Sequence, residues 1–401
     1  MEKVANSNRK HIAFFGNRNA GKSSLFNLFL GQDASLVSDV PGTTADPVYR
    51  AMELVGYGPV RIVDTAGLDD IGELGELRVK KSEEILQKTD MAVYVLDASK
   101  DIEGREREAA GLMFQRFRIP HIFVWNKIDL ITENERQKIQ KRYPGDCHLS
   151  ADTIEKRQKL ISIIIEYLDR QEEEPSLIGD ILPYGSRVIL VVPVDSEAPK
   201  GRLILPQVQV IRDCLDNGIK SYVVRDIELE EALNEIRDVD LVITDSQVFD
   251  KVSGLVPESV PLTSFSILYA RQKGELGDFL KGIKALERLK STSRGRVLIA
   301  ESCTHTTSHE DIGTIKIPAL LRKKINPDLD IVFQTGVTFK EEWIENVDVI
   351  IHCGSCMITR KNMLNRIQAA KEKKIPITNY GVVLAYLAGI LDRAVEIFKR
   401  D

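Results

Sequence analysis

The sequence predicts an α/β protein of three α/β domains, the first with a mostly parallel, doubly wound sheet. Three observations carry this. Short apolar runs alternate with amphipathic helical stretches through all 401 residues, the pattern of parallel strands covered on both faces. A chain of this length exceeds what one hydrophobic core usually organises, so two or three domains are expected. The run Gln171-Glu172-Glu173-Glu174-Pro175 then interrupts the alternation with charge and a helix-stopping proline, which places a linker after the first block.

In the first block the strand-like runs are His11 to Phe15, Val60 to Val63, Met91 to Leu96 and His121 to Trp125. Directly after the first of them comes Gly16-Asn17-Arg18-Asn19-Ala20-Gly21-Lys22-Ser23, followed by the helical pattern Ser24 to Leu30. Strand, glycine-rich turn, lysine and hydroxyl, then helix is the context of a phosphate-cradling loop, so the first domain is expected to be a P-loop GTPase. The backbone N–H groups of Gly16, Asn17, Asn19, Ala20, Gly21 and Ser24 line such a loop. Lys22 would reach the β and γ oxygens, and the Ser23 hydroxyl would ligate magnesium.

Further elements follow in the order of a translation-factor-like GTPase. Pro41-Gly42-Thr43-Thr44 resembles the first switch, with Thr44 favoured over Thr43 to complete the magnesium shell. Asp64-Thr65-Ala66-Gly67 ends a strand, placing Asp64 near the metal through water and the Gly67 N–H near the γ-phosphate. Lys22, Thr44 and Gly67 are therefore the expected catalytic groups. Asn126-Lys127-Ile128-Asp129 ends another strand, and the Asp129 carboxylate can accept from N1 and the exocyclic amine of guanine, donors that adenine lacks there. Ser150-Ala151 matches the last and weakest guanine motif. Leu68 stands where small signalling GTPases carry a water-positioning glutamine, so slow intrinsic hydrolysis is expected. Asn19 within the loop is the pattern of GTPases activated by potassium, which would hold a cation where an arginine finger otherwise acts; the competing reading is a tolerated loop residue. Glu73 and Glu76 could orient water or form a solvated charged loop.

A second alternation runs from Arg187 to Val192 through Ser221 to Val224 and Leu241 to Thr244 to Leu262 to Phe265, with a helical pattern over Leu229 to Ile236. It contains no phosphate loop or ligand cluster, and its expected task is association or spacing. The third block shows the same alternation, with strand-like runs at Arg296 to Ala300, Leu329 to Phe333, Val347 to Ile351 and Pro376 to Asn379 and a helix over Lys361 to Lys374. No sequence repeat or low-complexity segment is evident.

Cys303-Thr304-His305 follows the first strand of the third block, and His352-Cys353-Gly354-Ser355-Cys356 follows the third. Ligands collect beyond the carboxyl ends of strands in open parallel sheets, so these distant cysteines can converge on one crevice. Three thiolates and two imidazoles favour zinc or an iron-sulfur cluster, whereas Cys353 and Cys356 alone would also suit a redox dithiol. A Cys3His set is a legitimate zinc site; three cysteines without a fourth also describe a 4Fe-4S cubane with an open iron. His305 and His352 are open between direct ligation and support of the ligands, and His309 reads as a loop residue. Cys147 and Cys214 stand apart and read as inert thiols.

Composition excludes other classes. A net charge of −5 and pI near 5.9 provide no basic field for non-specific nucleic-acid binding. No run approaches the roughly 20 apolar residues that span a bilayer, and Met1-Glu2-Lys3-Val4-Ala5-Asn6 lacks a signal-peptide core. Neither membrane nor nucleic acid is expected as a partner, and the expected location is cytoplasmic.

With both motif sets in place, the chain resembles the FeFe-hydrogenase maturation GTPases, the HydF family, across essentially its whole length, with an Era/TrmE-like GTPase domain. The cysteine-histidine signature is the most specific part of the likeness. The resemblance implies a GTP-binding domain over 1–171, a dimerisation-type α/β domain over 180–270 and an iron-sulfur domain over 271–401. It also implies GTP/GDP, Mg2+, K+ and a 4Fe-4S cluster held by Cys303, Cys353 and Cys356. A diiron precursor would be transient cargo, made with two radical S-adenosylmethionine maturases and delivered to apo FeFe-hydrogenase by a homodimer. The rival readings are an RNA- or ribosome-associated Era-like GTPase and a GTPase with a structural zinc.

Overall fold

The computed structural model describes residues 9–31, 48–65, 85–149, 154–169, 175–194, 203–302, 311–336, 339, 341–355 and 358–399. The chain divides into two compact units, residues 1–173 and 174–401.

The first unit is built on a six-stranded sheet in the order β2-β3-β1-β4-β5-β6. Its strands are β1 (Lys10–Phe15), β2 (Val48–Leu54), β3 (Gly58–Asp64), β4 (Met91–Asp97), β5 (His121–Asn126) and β6 (Cys147–His148). All neighbours are parallel except β2, which runs antiparallel to β3 with Val48 opposite Asp64. The alternation within β1 explains how the layers form. Ile12 and Phe14 bury against Leu25 and Phe29 of the helix Lys22–Leu30 and against Leu160 and Ile164 of the helix Ile154–Asp169. Ala13 and Phe15 point the other way, into a core with Phe114 and Trp125. A strand buried on both faces cannot show polar alternation, and each large side chain buried this way contributes about 1.5–3 kcal/mol. The helix Glu133–Arg142 starts at a reciprocal cap in which Glu135 N donates to Thr132 and Glu135 accepts from Thr132 N.

The second unit holds two four-stranded parallel sheets, β10-β9-β7-β8 and β12-β11-β13-β14. The strands are β7 (Arg187–Val191), β8 (Lys220–Val224), β9 (Leu241–Thr244), β10 (Leu262–Ser264), β11 (Arg296–Glu301), β12 (Asp330–Thr335), β13 (Val349–His352) and β14 (Ile377–Asn379). Read in chain order, both sheets have the same arrangement: second strand, first, third, fourth.

The likeness extends to detail. Arg187 N donates to Asp240 Oδ2 at 2.8 Å, and Arg296 N donates to Asp348 Oδ2 at 2.7 Å. Two residues before each aspartate stands a non-glycine in the left-handed region, Asp238 at φ 52 and Asn346 at φ 63. Each fourth strand ends on a side chain that caps the next helix: Ser264 accepts from Ile267 N and Asn379 from Val382 N. Those two helices, Phe265–Lys273 and Tyr380–Ala388, pack on one another. The approach is close enough that a Cβ on Gly381 would lie 2.3 Å from Ser266 Oγ. The packed helices thus occupy the same place in the order of each module. One core runs through both, with Ile189, Val242 and Phe249 in the same cluster as Val297, Ile299 and Ile351.

Candidate functional site

The phosphate loop leaves the sheet at the end of β1. Gly16 has φ 139, and a Cβ there would sit 2.2 Å from the Val95 carbonyl oxygen, so only glycine lets the loop cross β4 this closely. The helix it enters begins at Lys22 after Gly21, which offers no side-chain cap. Its first-turn N–H groups are thus left to an anion. Lys22 is buried, and its ammonium donates to the carbonyls of Gly16 and of Asn17, the latter at 3.2 Å. Phosphate oxygens would replace those carbonyls. Ser23 Oγ donates to Asp64 Oδ2 at 3.3 Å, bringing the two expected magnesium-side groups together from a helix start and a strand end. Asn17, Arg18, Asn19, Ser23 and Ser24 are exposed along the loop.

The strand end expected to read the base is tied to this loop. Asn126 Nδ2 donates to Ala20 O at 2.9 Å. Lys127, at φ 57, donates to Asn19 O at 2.5 Å and to Asp97 Oδ2 at 2.7 Å. Burial raises the Asp97 carboxyl pKa, but hydrogen bonds from Lys127 and Ser99 outweigh it and hold that carboxyl below its ordinary range. Sequence reading missed Asp97; its only signal was an acidic residue closing a wholly apolar strand. Asp129 is exposed in the turn Ile128–Leu130, open to a base edge. Thr43, Thr44, Gly67, Leu68, Glu73, Glu76, Ser150 and Ala151 lie outside the described residues.

In the third module the crevice lies where the strand order reverses, between the carboxyl ends of β11 and β13. Cys353 follows β13 and is 7% exposed. Its N–H continues the sheet to Ala300 O at 2.9 Å, while Ser302 N donates to its sulfur at 3.1 Å. A backbone N–H aimed at a cysteine sulfur suits a thiolate ligand, and the donor set of Cys303, Cys353 and Cys356 fits an iron-sulfur cluster or zinc. Cys303, His305, His309 and Cys356 lie outside the described residues. Among the described residues no three metal-ligating side chains come together.

His352, the last residue of β13, is fully buried. Its Nδ1 lies 2.9 Å from Cys353 O, which can only accept, so Nδ1 carries the proton. Nε2 is left to accept from Arg366 Nη1 at 2.6 Å. Both nitrogens are thereby occupied in orienting the cysteine loop, a supporting arrangement. Arg366 is itself buried in the helix Arg360–Glu372 and donates to Ser302 Oγ at 3.1 Å and Asn362 Oδ1 at 3.1 Å. Burial lowers its pKa to about 10, opposed by the neighbouring Cys353. On the opposite flank Tyr380 donates to Glu301 Oε1 at 2.9 Å. Burial pushes the Tyr380 hydroxyl pKa up, and Glu301 and Cys353 push it further. Neither Arg366 nor Tyr380 is marked by sequence, because a lone arginine in a charged helix reads as a solvated face. Cys147 and Cys214 are buried, and burial raises both thiols to about 11.

Comparison with known proteins places these pieces. Residues 177–274 match the sequence model of the hydrogen maturase F dimerization domain, residues 277–397 that of the hydrogen maturase F tetramerization domain, and residues 11–127 that of a 50S ribosome-binding GTPase. The tRNA modification GTPase MnmE of a Thermoanaerobacter species is 34% identical over 145 residues, covering 36% of this chain and 31% of its own. GTPase Der of Kosmotoga olearia is 36% identical over 142 residues, covering 34% and 32%. The chain thus spans about a third of the length of these curated relatives. Among solved structures, Aquifex aeolicus Era bound to GDP.AlF4- is 20% identical with a TM-score of 0.33, covering 54% of this chain and 92% of that one. With two hydrogen maturase F domains in succession over more than half its length, and an Era/TrmE-like GTPase domain ahead of them, the chain belongs to the HydF family.

Proposed function

We propose that the chain is a GTP-hydrolysing scaffold that carries a 4Fe-4S cluster and passes a diiron unit to apo FeFe-hydrogenase. The observation that carries this reading is the buried Cys353 sulfur receiving the Ser302 N–H at a strand switch point, in a chain that also holds a phosphate loop with Ser23 beside Asp64. The first domain, 1–171, would bind GTP through Gly16 to Ser24 and read guanine through Asn126, Lys127, Asp129, Ser150 and Ala151. Lys22, Thr44 and the Gly67 N–H would stabilise charge as water attacks the γ-phosphorus and GDP leaves. Ser23 and Thr44 would hold Mg2+, with Asp64 acting through water, and Asn19 would help hold K+.

The domain over 271–401 would hold the cluster through Cys303, Cys353 and Cys356. When bound, that cluster supplies an iron with an exchangeable coordination position. Around it Ser302 donates to a ligand sulfur, His352 fixes the Cys353 carbonyl, and Arg366 places a positive charge beside an anionic centre. The domain over 180–270 would mediate association, in keeping with its likeness to the hydrogen maturase F dimerization domain. We read the partners as two radical S-adenosylmethionine maturases and the hydrogenase, and the location as cytoplasmic. Among the described residues no helix is long and apolar enough to cross a membrane.

The test is anaerobic reconstitution with iron and sulfide of the full chain and of a Cys303/Cys353/Cys356 triple serine variant. Visible absorption and a reduced 4Fe-4S EPR signal in wild type alone support the reading. A colourless protein retaining one zinc per chain overturns it. GTP turnover should be faster in potassium than in sodium; equal rates remove the role given to Asn19.

A further inference from the structure

We propose that Asp146, held by Arg107, is a positioning residue for base recognition. Its carboxylate keeps in register the two strand ends expected to read guanine, and so sets how strongly a guanine nucleotide is preferred over one that lacks the exocyclic amine. The inference rests on the guanine reading proposed above for Asn126, Asp129 and Ser150.

Both base motifs leave paired strands. β5 ends at Asn126, and β6 lies beside it with Val124 opposite Cys147 and Trp125 opposite His148. Trp125, the residue before Asn126, is gripped twice by the segment 146–149. Its indole N–H donates to Asp146 Oδ2 at 2.9 Å, and its carbonyl accepts from Leu149 N at 2.9 Å. That segment runs directly into Ser150-Ala151. One carboxylate at its head therefore bears on both motifs.

Asp146 is itself fixed. Arg107 donates from Nε to Oδ2 at 2.5 Å and from Nη2 to Oδ1 at 2.8 Å, a two-pronged pair in which the aspartate side chain is 6% exposed. The guanidinium lies over the Phe123 ring at 4.4 Å and over the Tyr143 ring at 4.1 Å, and Trp125 stacks on Tyr143 at 5.8 Å. A planar fork packed on rings offers the carboxylate one orientation. Without it, a nearly buried carboxylate loses its counter-charge and is drawn toward water, away from the indole.

Arg107 is anchored in turn to the neighbouring strand end. It lies in the first turn of the helix Arg105–Arg116, where Asp101 accepts from Glu106 N at 3.2 Å and from Arg107 N at 3.1 Å. Asp101 N donates to Asp97 O at 3.1 Å, and Asp97 receives Lys127. Bonds thus run from Lys127 through Asp97, Asp101, Arg107 and Asp146 to Trp125, and the chain itself closes the circuit. It closes on the two residues, Asn126 and Lys127, that also bond the phosphate loop. That closure separates the pair from a staple of the fold: losing one link frees the base-reading turn as well as the helix.

The test measures Kd for GDP and for inosine diphosphate, which lacks the exocyclic amine, by calorimetry on the full chain with Mg2+. The readout is the ratio of the two constants, which a loss of fold stability alone does not move. Arg107→Met should lower the preference for GDP about three- to tenfold, and Arg107→Lys, which keeps a positive charge without the fork, should restore part of it. Glu108→Ala, on the same helix, loses its bonds to Arg142 and Tyr143, leaves the pair intact and should keep the wild-type ratio. Should Arg107→Met fail to fold, Trp125→Phe, which removes the indole donor and keeps a ring against Tyr143, carries the same expectation. A ratio within about twofold of wild type in whichever of these folds, whatever its Tm, overturns the proposal. So does a fall in Glu108→Ala as large as that in Arg107→Met, which would assign the effect to the helix at large. A wild type that binds the two nucleotides equally instead removes the guanine reading on which the inference rests.

Discussion

The module of β7 to β10 and the module of β11 to β14 share strand order, an arginine N–H to aspartate bond, a left-handed residue before the third strand and a capped helix after the fourth strand. They differ where the strands end. Counting from the paired arginines, Val194 stands where the second module has Cys303, and counting from the left-handed residues, Asp245 stands where it has Cys353. Phe265 begins the helix after the fourth strand of one module and Tyr380 that of the other. The same scaffold can therefore carry different strand-end residues, and on the function proposed above these few residues would decide which module holds a metal centre.

Breaking the difference at its source gives the largest effect. Cys353→Ser should abolish iron binding, measured as iron per chain after reconstitution, while GTP turnover stays within about twofold because the two sites lie in separate compact units. Cys214→Ser, in the module without ligands, should leave iron content unchanged. Equal loss of iron and turnover in Cys353→Ser would contradict the division of labour.

Arg366→Met should come next. It strips a donor from buried His352 Nε2 and Ser302 Oγ, a cost of about 1–3 kcal/mol. Hydrogen exchange of the β13 amides should accelerate roughly tenfold for each 1.4 kcal/mol lost, with β9 amides unaffected. Tyr380→Phe makes the second module match the first at that position and removes the bond to Glu301; about 1 kcal/mol is expected from the same measurement. The smallest effects test sameness. Asp240→Ala and Asp348→Ala remove equivalent, exposed bonds, so each should cost about 0.5–1 kcal/mol and the two values should agree. Values differing severalfold would mean the modules are alike in shape only.

The phosphate loop was legible because its chemistry demands fixed residue types at fixed spacing, and the expected guanine and cysteine motifs rest on the same kind of spacing. Central strands such as β4 and β13 were legible as unbroken apolar runs. The edge strand β2 was not: its Val48–Leu54 pattern is largely exposed and breaks the run. The repeat was hidden for a related reason, since it survives in backbone geometry and in single polar contacts such as Asp240 and Asp348, while the residues that differ are the conspicuous ones. His352 was legible as part of a signature, but its pairing with Arg366 needed the fold, because fourteen positions separate them in the chain.

The two bonds that join the Asn126-Lys127 strand end to Ala20 and Asn19 have a kinetic meaning. They couple the element that grips the base to the element that grips the phosphates, so a nucleotide cannot loosen one end without straining the other. Departure of GDP would then be a concerted opening of both ends, and its residence time would reflect the two holds together rather than either alone.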